Sequence, residues 1–233
     1  MPSKYKKTKL IFDLDDTLIK TTQHYLNTEH WFSHLFEAFN IPANEVQQLI
    51  REIDIKLLSE HKYGYHWYAQ GLEDAYNQLK TKYKISIKNF KKKLNAVIAK
   101  EFQSDRELWD NALEILEHFY NLNYKMYIMT LGDDFIQMEK IEKTNIKHYF
   151  EQIFIVPRKD DEFFQKMIKT ARLKPEETYF IGNSIENDML PAKRAGFKCI
   201  LYNKHTTFYG KKVKIPSGIK IISDLIELKE LIK

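Results

Sequence analysis

The spacing of apolar residues changes twice along the chain, and each change marks a different kind of structure. A short apolar run from Leu10 to Phe12 is followed at once by charged side chains, which is typical of a buried parallel strand. From about residue 20 to residue 104, apolar residues recur every three or four positions, which indicates helices. After residue 104, short apolar runs alternate with helical spacing. These patterns predict an α/β domain with a helical insert.

The insert, residues 20–104, has almost no strand pattern. Its periodicity predicts helices at residues 31–39, 46–58, 65–80 and 89–102. Pro42 lies between the first two, where one helix must end before the next begins. We therefore expect residues 20–104 to form an all-helical domain.

The rest of the chain alternates between helices and strands. Helices are predicted at residues 108–122, 133–143, 163–171, 185–195 and 224–232, and strands at residues 125–129, 152–156, 178–181, 198–201 and 219–222. Such alternation is typical of a parallel sheet with helices on both faces. The predicted fold class is therefore α/β, and its core domain comprises residues 1–19 and 105–233.

Composition narrows the classes of protein to consider. Of the 233 residues, 43% are hydrophobic and 30% charged, with seven Gly and six Pro, which is a globular composition. The net charge of +5 comes from scattered lysines, without a basic stripe interleaved with aromatic residues, so we expect no nucleic-acid partner. The basic start leads into an apolar stretch too short for a signal peptide or a membrane span. With Cys199 as the single cysteine, a cytoplasmic protein without a membrane partner is expected.

Three carboxylates follow the first predicted strand, at Asp13, Asp15 and Asp16, and Thr17 comes next. Like charges at one strand end repel each other and lose hydration, so a cation is needed to offset them. Mg²⁺ binds a few carboxylate oxygens and keeps several waters. The sequence therefore predicts a Mg²⁺ site at the carboxyl end of this strand.

Other polar side chains directly follow later strands, and the carboxyl ends of parallel strands meet at one edge of a sheet. These residues are Thr130 with Leu131 and Gly132, then Lys159 with Arg158 as a competing cation, then Asn183 with Asp188. Hydroxyl groups, backbone N–H groups and a lysine can hold a phosphate group, and a glycine lets the backbone approach closely. The set suits phosphoryl transfer.

These segments resemble the four signatures of the haloacid dehalogenase superfamily, most of whose members are Mg²⁺-dependent phosphatases. The matching segments are Asp13-x-Asp15-x-Thr17, Met129-Thr130-Leu131-Gly132, Lys159-Asp160, and Gly182-Asn183 followed by Asp188. The resemblance implies a Rossmann-like core. An insert between the first and second signatures is similar in position to the family's C1-type helical cap.

The resemblance also implies roles. Asp13 would be the nucleophile, Asp15 would protonate the leaving group and later activate water, and Thr17 would brace the loop. Thr130, Leu131, Gly132 and Lys159 would bind the phosphate, and Lys159 would lie between it and Asp13. The metal ligands would be Asp13, the backbone carbonyl of Asp15, Asn183 and waters, with Asp188 close by, either as a direct ligand or as a hydrogen-bond partner of a ligand. Most members have aspartate where this chain has Asn183, which implies weaker Mg²⁺ binding.

The function expected from the resemblance is a Mg²⁺-dependent phosphomonoesterase. It would hydrolyse a small soluble phosphate ester, a nucleotide or a sugar phosphate, through an aspartyl-phosphate intermediate. Asp15 favours a phosphate ester over a haloacid, because a halide leaving group needs no proton. A phosphomutase of the same fold remains an alternative, as does a weakly active or non-catalytic binding or regulatory protein. The sequence leaves open the choice between a monomer and a homodimer.

Overall fold

The computed structural model describes residues 7–60, 64–103, 106–203 and 215–232. The chain divides into two compact units. One comprises Met1–Lys20 and Arg106–Lys233, and the other comprises Thr21–Asp105. We call them the core unit and the helical unit.

The helical unit consists of four helices in its described residues. They are α1 (Thr22–Glu37), α2 (Ala43–Glu60), α3 (Tyr65–Tyr83) and α4 (Phe90–Phe102). Apolar side chains from all four helices pack into one cluster, which includes a stacked pair of rings, Tyr76 and Phe90, with centroids 3.8 Å apart. Helix α1 begins at Thr22, nine residues before the predicted helix at residues 31–39. Its first half carries too few apolar residues for periodicity to reveal it.

The core unit contains a parallel sheet of six strands in its described residues. The strands are β1 (Lys9–Phe12), β2 (Lys125–Leu131), β3 (Phe150–Val156), β4 (Thr178–Gly182), β5 (Lys198–Tyr202) and β6 (Lys220–Ile222). Their order across the sheet is β3-β2-β1-β4-β5-β6, so β1 lies between β2 and β4. All neighbouring strands are parallel. The sheet therefore has a single carboxyl edge.

Helices cover both faces of this sheet. They are α5 (Ala112–Asn121), α6 (Asp134–Lys143), α7 (Asp161–Thr170), α8 (Leu190–Arg194) and α9 (Leu228–Leu231). Side chains alternate along β1, so Leu10 and Phe12 pack in the cluster that includes α5 and α9, whereas Ile11 packs with residues of α7 and α8. The predicted Rossmann-like α/β fold is confirmed. None of the described helices is long and apolar enough to cross a bilayer.

The loop after β1 turns tightly on itself. The carbonyl of Leu14 accepts hydrogen bonds from the N–H groups of Leu18 (2.9 Å) and Ile19 (3.0 Å), and Asp16 adopts a positive φ of 58°. Ile19 then pairs with Leu108, and the N–H of Lys20 donates to the carbonyl of Glu107 at 2.8 Å. The chain segments that leave and re-enter the core unit therefore lie side by side.

Candidate active site

Three buried charged side chains meet at the carboxyl edge of the sheet. Asp13 directly follows β1, and its N–H donates to the carbonyl of Ile181 in β4 at 2.8 Å. The Nζ atom of Lys159 lies 2.5 Å from Oδ1 of Asp13 and 2.5 Å from Oδ1 of Asp188. The exposed fractions of Asp13, Lys159 and Asp188 are 5%, 7% and 1%. Two carboxylates thus share one ammonium group away from water.

The electrostatics of this group follow from its burial. Burial raises the pKa of Asp13 to about 7, although Lys159 acts in the opposite direction, and the charge of Asp188 raises it further. Burial alone would lower the pKa of Lys159, but Asp13 and Asp188 outweigh it, so the pKa of Lys159 is raised. Lys159 therefore stays an ammonium ion. One positive charge facing two carboxylates leaves the site with a negative excess.

Backbone contacts hold Asp188 in place. A single π-helical turn, Ile185–Met189, follows β4, and the N–H of Ser184 donates to Oδ2 of Asp188 at 2.9 Å. At Gly182, the last residue of β4, a Cβ atom would lie only 2.6 Å from that same oxygen. Glycine is needed there because the carboxylate of Asp188 occupies the space of a side chain.

The side chain of Asp15 is held by helix α6. The Nζ atom of Lys140 lies 2.7 Å from Oδ1 of Asp15, and Nε2 of Gln137 donates to Oδ2 at 2.8 Å. The same nitrogen of Gln137 donates to the hydroxyl of Thr130 at 2.6 Å. Thr17 donates instead to Oδ2 of Asp13 at 3.1 Å. The two carboxylates of the first signature thus have separate hydrogen-bond partners.

Gln137 and Lys140 are not among the site residues predicted from the sequence. Both lie on the buried face of α6, beside Ile136 and Ile141. The available signal was a polar pair at positions that helical spacing assigns to the core. A buried lysine needs an anionic partner, so the pattern could have indicated that α6 faces a carboxylate.

The second signature lies at the end of β2. Thr130 is fully buried, and Leu131 is the last residue of the strand. Gly132 has a φ of 136°, which favours glycine, and its N–H donates to the carbonyl of Val156 at 3.2 Å. The sequence suggested this N–H as a phosphate donor, but the structure uses it to tie the end of β2 to β3. The hydroxyl of Thr130 and the backbone at Leu131 remain predicted phosphate contacts.

Of the two cations that the sequence left open after β3, only Lys159 contacts Asp13. The side chain of Arg158 is 71% exposed, and its Nε atom pairs with Oδ2 of Asp160 at 2.7 Å. Asp160 also begins helix α7 by accepting a hydrogen bond from the N–H of Phe163. The structure therefore distinguishes the buried cation from the solvated one.

The donor set at this edge suits a hard cation. Each of Asp13 and Asp188 lies 2.5 Å from the same nitrogen, so their Oδ1 atoms are no more than about 5 Å apart. The described residues contain no group of three His, Cys, Asp or Glu side chains placed to hold a metal ion. Mg²⁺ commonly needs only one or two carboxylates, with water and substrate phosphate completing its shell. Asn183, half-buried directly after β4, and the backbone carbonyl of Asp15 could supply further oxygens.

Comparison with known proteins identifies the family. A family model described as haloacid dehalogenase-like hydrolase matches residues 10–202, which is most of the chain. The chain belongs to the haloacid dehalogenase-like hydrolase family. This confirms the family resemblance that the sequence indicated and makes the chain a hydrolase of that family.

Two curated relatives, one named a phosphatase and one a nucleotidase, match most of this chain. The glyceraldehyde 3-phosphate phosphatase of Pyrococcus furiosus is 26% identical, over 96% of this chain and 91% of the relative. The pyrimidine 5'-nucleotidase PynA of Streptococcus pneumoniae is 23% identical, over 84% of each chain. The two names refer to different substrates, glyceraldehyde 3-phosphate and pyrimidine 5'-nucleotides.

Two solved structures share the fold. A haloacid dehalogenase-like hydrolase of Xanthomonas campestris superposes with a TM-score of 0.80 at 22% identity, covering 99% of this chain and 92% of the other. The family hydrolase YfnB of Bacillus subtilis, bound to magnesium, gives a TM-score of 0.64 at 21% identity, with coverage of 98% and 99%. At these identities the likeness shows the fold alone.

Proposed function

We propose that this haloacid dehalogenase-like hydrolase is a Mg²⁺-dependent phosphomonoesterase that acts on a small phosphate ester through an aspartyl-phosphate intermediate. The observation that carries the proposal is the buried contact between Asp13 and Lys159, at 2.5 Å, with Asp15 held separately by Lys140. One carboxylate is thus paired with a phosphate-binding cation, and the other is left for proton transfer.

In the first step, an oxygen of Asp13 attacks phosphorus and the bond to the leaving oxygen breaks. The ammonium of Lys159 lowers the repulsion between the anionic substrate and the anionic nucleophile. The hydroxyl group of Thr130 donates a hydrogen bond to a phosphate oxygen. Asp15, in its acid form, gives its proton to the leaving oxygen as that bond breaks.

In the second step, Asp15 is a carboxylate and takes a proton from a water molecule. The water oxygen attacks phosphorus, and the bond to Asp13 breaks, which releases inorganic phosphate and restores the carboxylate. Thr17, which donates to Oδ2 of Asp13, keeps that side chain in one orientation through both steps. The negative excess of the Asp13, Lys159 and Asp188 group supports a cation at this edge.

Asp13, Asp188, Asn183 and the backbone carbonyl of Asp15 would hold the metal ion. Bound Mg²⁺ would offset the negative charge of the phosphate oxygens and of Asp13. The magnesium-bound YfnB supports this choice of ion. Asn183 supplies an oxygen without a charge, so we expect weaker binding than an aspartate at this position would give.

The names of the relatives support a sugar phosphate or a nucleotide as the substrate. We propose that the helical unit, which corresponds to the expected domain at residues 20–104, is a C1-type cap, because it interrupts the core unit between the first and second signatures. We also place the enzyme in the cytoplasm, since its one cysteine, Cys199, is buried and free.

The test measures phosphate release from p-nitrophenyl phosphate with Mg²⁺ and with EDTA, for the wild type and Asp13→Asn. We expect the variant to lose at least about 10³-fold in kcat, because an amide oxygen cannot form the intermediate. Asp134→Asn makes the same change at an exposed position of α6 and is the matched control. Equal activity of the wild type and Asp13→Asn would contradict the proposal.

The substrate class is then found with a panel of sugar phosphates, triose phosphates, and purine and pyrimidine nucleotides. We expect at least one of these alkyl esters to be hydrolysed with a kcat/KM above about 10⁴ M⁻¹s⁻¹. A requirement for a sugar bisphosphate would instead indicate a phosphomutase. Absence of turnover with every ester would contradict the proposed function.

A further inference from the structure

Helix α6 buries two polar side chains on a face that otherwise packs into the core. Gln137 is 2% exposed and Lys140 is 8% exposed, and they lie beside the buried Ile136 and Ile141. A buried ammonium or amide costs several kcal/mol unless it has well-placed partners. Apolar residues at both positions would have served the core better, so their partners explain why they are there.

Their partners are two residues that the proposed mechanism uses. Lys140 contacts one oxygen of the Asp15 carboxylate, and Gln137 donates to the other. Two donors on different oxygens prevent the carboxylate from rotating about its terminal bond. A carboxylate held in one orientation presents its oxygens to the leaving group at a fixed angle, which proton transfer requires.

Gln137 also determines which way the Thr130 hydroxyl points. Its side-chain nitrogen donates to Oγ1 of Thr130 at 2.6 Å, so the hydroxyl oxygen is the acceptor in that bond. The hydroxyl hydrogen must therefore point elsewhere. Within hydrogen-bond reach it has only the backbone carbonyl of Leu131, at a long 3.5 Å, among the described residues. The hydrogen is thus available to a phosphate oxygen.

We propose that Lys140 and Gln137 are positioning residues, which fix the Asp15 carboxylate for proton transfer to the leaving group and orient the Thr130 hydroxyl toward the phosphate. The inference rests on the proposed function. Lys140 contacts Asp15, and Gln137 contacts Asp15 and Thr130, so each acts through those side chains. The effect of losing them is therefore expected in the step that needs the proton of Asp15.

Substrates with different leaving groups isolate that step. A nitrophenolate ion leaves readily without a proton, whereas an alkoxide must be protonated as it leaves. We compare p-nitrophenyl phosphate with the best alkyl phosphate of the panel described above. For Lys140→Met, we expect kcat/KM to fall about 10²-fold for the alkyl ester and less than about tenfold for the nitrophenyl ester. Lys140→Arg should restore most of the loss, because it returns a cationic donor.

Lys143→Met is the matched control, since Lys143 lies on the same helix and pairs with Glu139 instead of Asp15. It should leave the ratio of the two kcat/KM values unchanged. Gln137→Met tests the second contact independently. Its expected effect is a smaller loss for the alkyl ester, with a raised KM for both substrates, because the Thr130 hydroxyl is no longer oriented.

The thermal unfolding midpoint of each variant reports folding separately. If Lys140→Met lowers the two kcat/KM values equally, or lowers neither, the positioning role of Lys140 is wrong. If Gln137→Met changes neither kcat/KM for the alkyl ester nor KM for the two substrates, the role proposed for Gln137 is wrong. Failure of the proposed function looks different: Asp13→Asn then matches the wild type, or no alkyl ester is turned over. If the wild type is active, Asp13→Asn is inactive and Lys140→Met leaves the ratio of the two kcat/KM values unchanged, this inference alone is overturned.

Discussion

At the scale of single residues, Lys159 allows Asp13 and Asp188 to lie buried in one site. Two carboxylates without an ammonium would take up protons or draw in water, because uncompensated charges are costly in apolar surroundings. The Nζ atom of Lys159 also lies 5.6 Å from the centre of the Phe180 ring, a cation–π contact that favours the charged lysine at this place. Because one positive charge faces two negative charges, the site keeps an attraction for a divalent cation.

Gly182→Ala tests how closely Asp188 is fitted to its strand. The added Cβ would lie 2.6 Å from Oδ2 of Asp188, so the carboxylate must move. We expect the free energy of unfolding to fall by about 1–3 kcal/mol and Mg²⁺ binding and kcat/KM to fall with it. Calorimetric titration with Mg²⁺ and urea unfolding measure these effects.

Gly71→Ala is the control for that substitution. Gly71 lies in α3, where a Cβ would meet only the flexible ends of Leu57 and Ile53 at 3.1 and 3.4 Å. It should leave Mg²⁺ binding unchanged. The same titration curve for Gly182→Ala and the wild type would show that the position of Asp188 does not matter to the metal.

Asn183→Asp tests the metal site from the other side of the same loop. The substitution keeps the size of the side chain and adds a negative charge at a proposed ligand. We expect the Kd for Mg²⁺ to fall about tenfold, which corresponds to about 1.4 kcal/mol of binding free energy. Calorimetric titration without substrate measures this independently of turnover. An unchanged Kd would show that residue 183 is not a ligand.

Single residues also show which parts of the candidate site could be predicted from the sequence. The run of carboxylates after β1 and the Lys-Asp step after β3 predicted residues that the structure brings into contact, Asp13 and Lys159. The partners of Asp15 could not be predicted in the same way. Gln137 reaches Asp15 across 122 positions of sequence, and only the fold, which places α6 beside the loop after β1, brings them together.

At the scale of elements, helix α1 buries the carboxylate of Glu29 away from water. Glu29 is 5% exposed, and its Oε1 atom has no hydrogen-bond partner in the described part of the chain. Burial raises the pKa of Glu29 to about 7; Arg51 on α2 opposes the shift, and Asp54 adds to it. The packing of α1 on α2 is thus least favourable when Glu29 is ionised.

This predicts a stability that depends on pH. Because the pKa of Glu29 is higher in the folded state, the protonated form favours folding, and its contribution is lost as the pH rises from about 4.5 through 7. Glu29→Gln removes the ionisation. We expect the variant to match the wild type near pH 4.5 and to exceed it by roughly 2 kcal/mol at pH 8. Urea unfolding at both pH values gives the comparison.

Glu37→Gln is the matched control for that experiment. Glu37 lies at the end of α1 with its side chain 62% exposed, so its removal should change stability by less than about 0.5 kcal/mol. A gain in the Glu29→Gln variant that is equal at both pH values would mean that Glu29 is not buried as a neutral acid. The pH dependence of the stability of the wild type would then have to come from the titration of another group.

At the scale of the whole molecule, the chain builds two units with separate hydrophobic clusters. Periodicity was sufficient to predict an α/β fold with a helical insert, because the spacing of apolar residues changes where the insert begins and ends. Periodicity could not predict the order of the strands, since β1 pairs with β2 and β4, which are far away in sequence. Such pairings depend on the packing of whole elements and leave no local pattern.

The separate cores predict that the core unit folds without the helical unit. The N–H of Lys20 donates to the carbonyl of Glu107 at 2.8 Å, so a short glycine and serine linker can replace residues 21–105. The shortened protein keeps both faces of its sheet covered by its own helices, and we expect cooperative thermal unfolding with about 5 kcal/mol or more of stability. It should still hydrolyse p-nitrophenyl phosphate, because Asp13, Asp15 and Lys159 all remain. We expect it to lose preference among the natural esters, which follows from the cap role proposed for the helical unit. Circular dichroism during heating and the substrate panel measure both outcomes. Gradual unfolding with exposed apolar surface would show instead that the sheet depends on the insert for its fold.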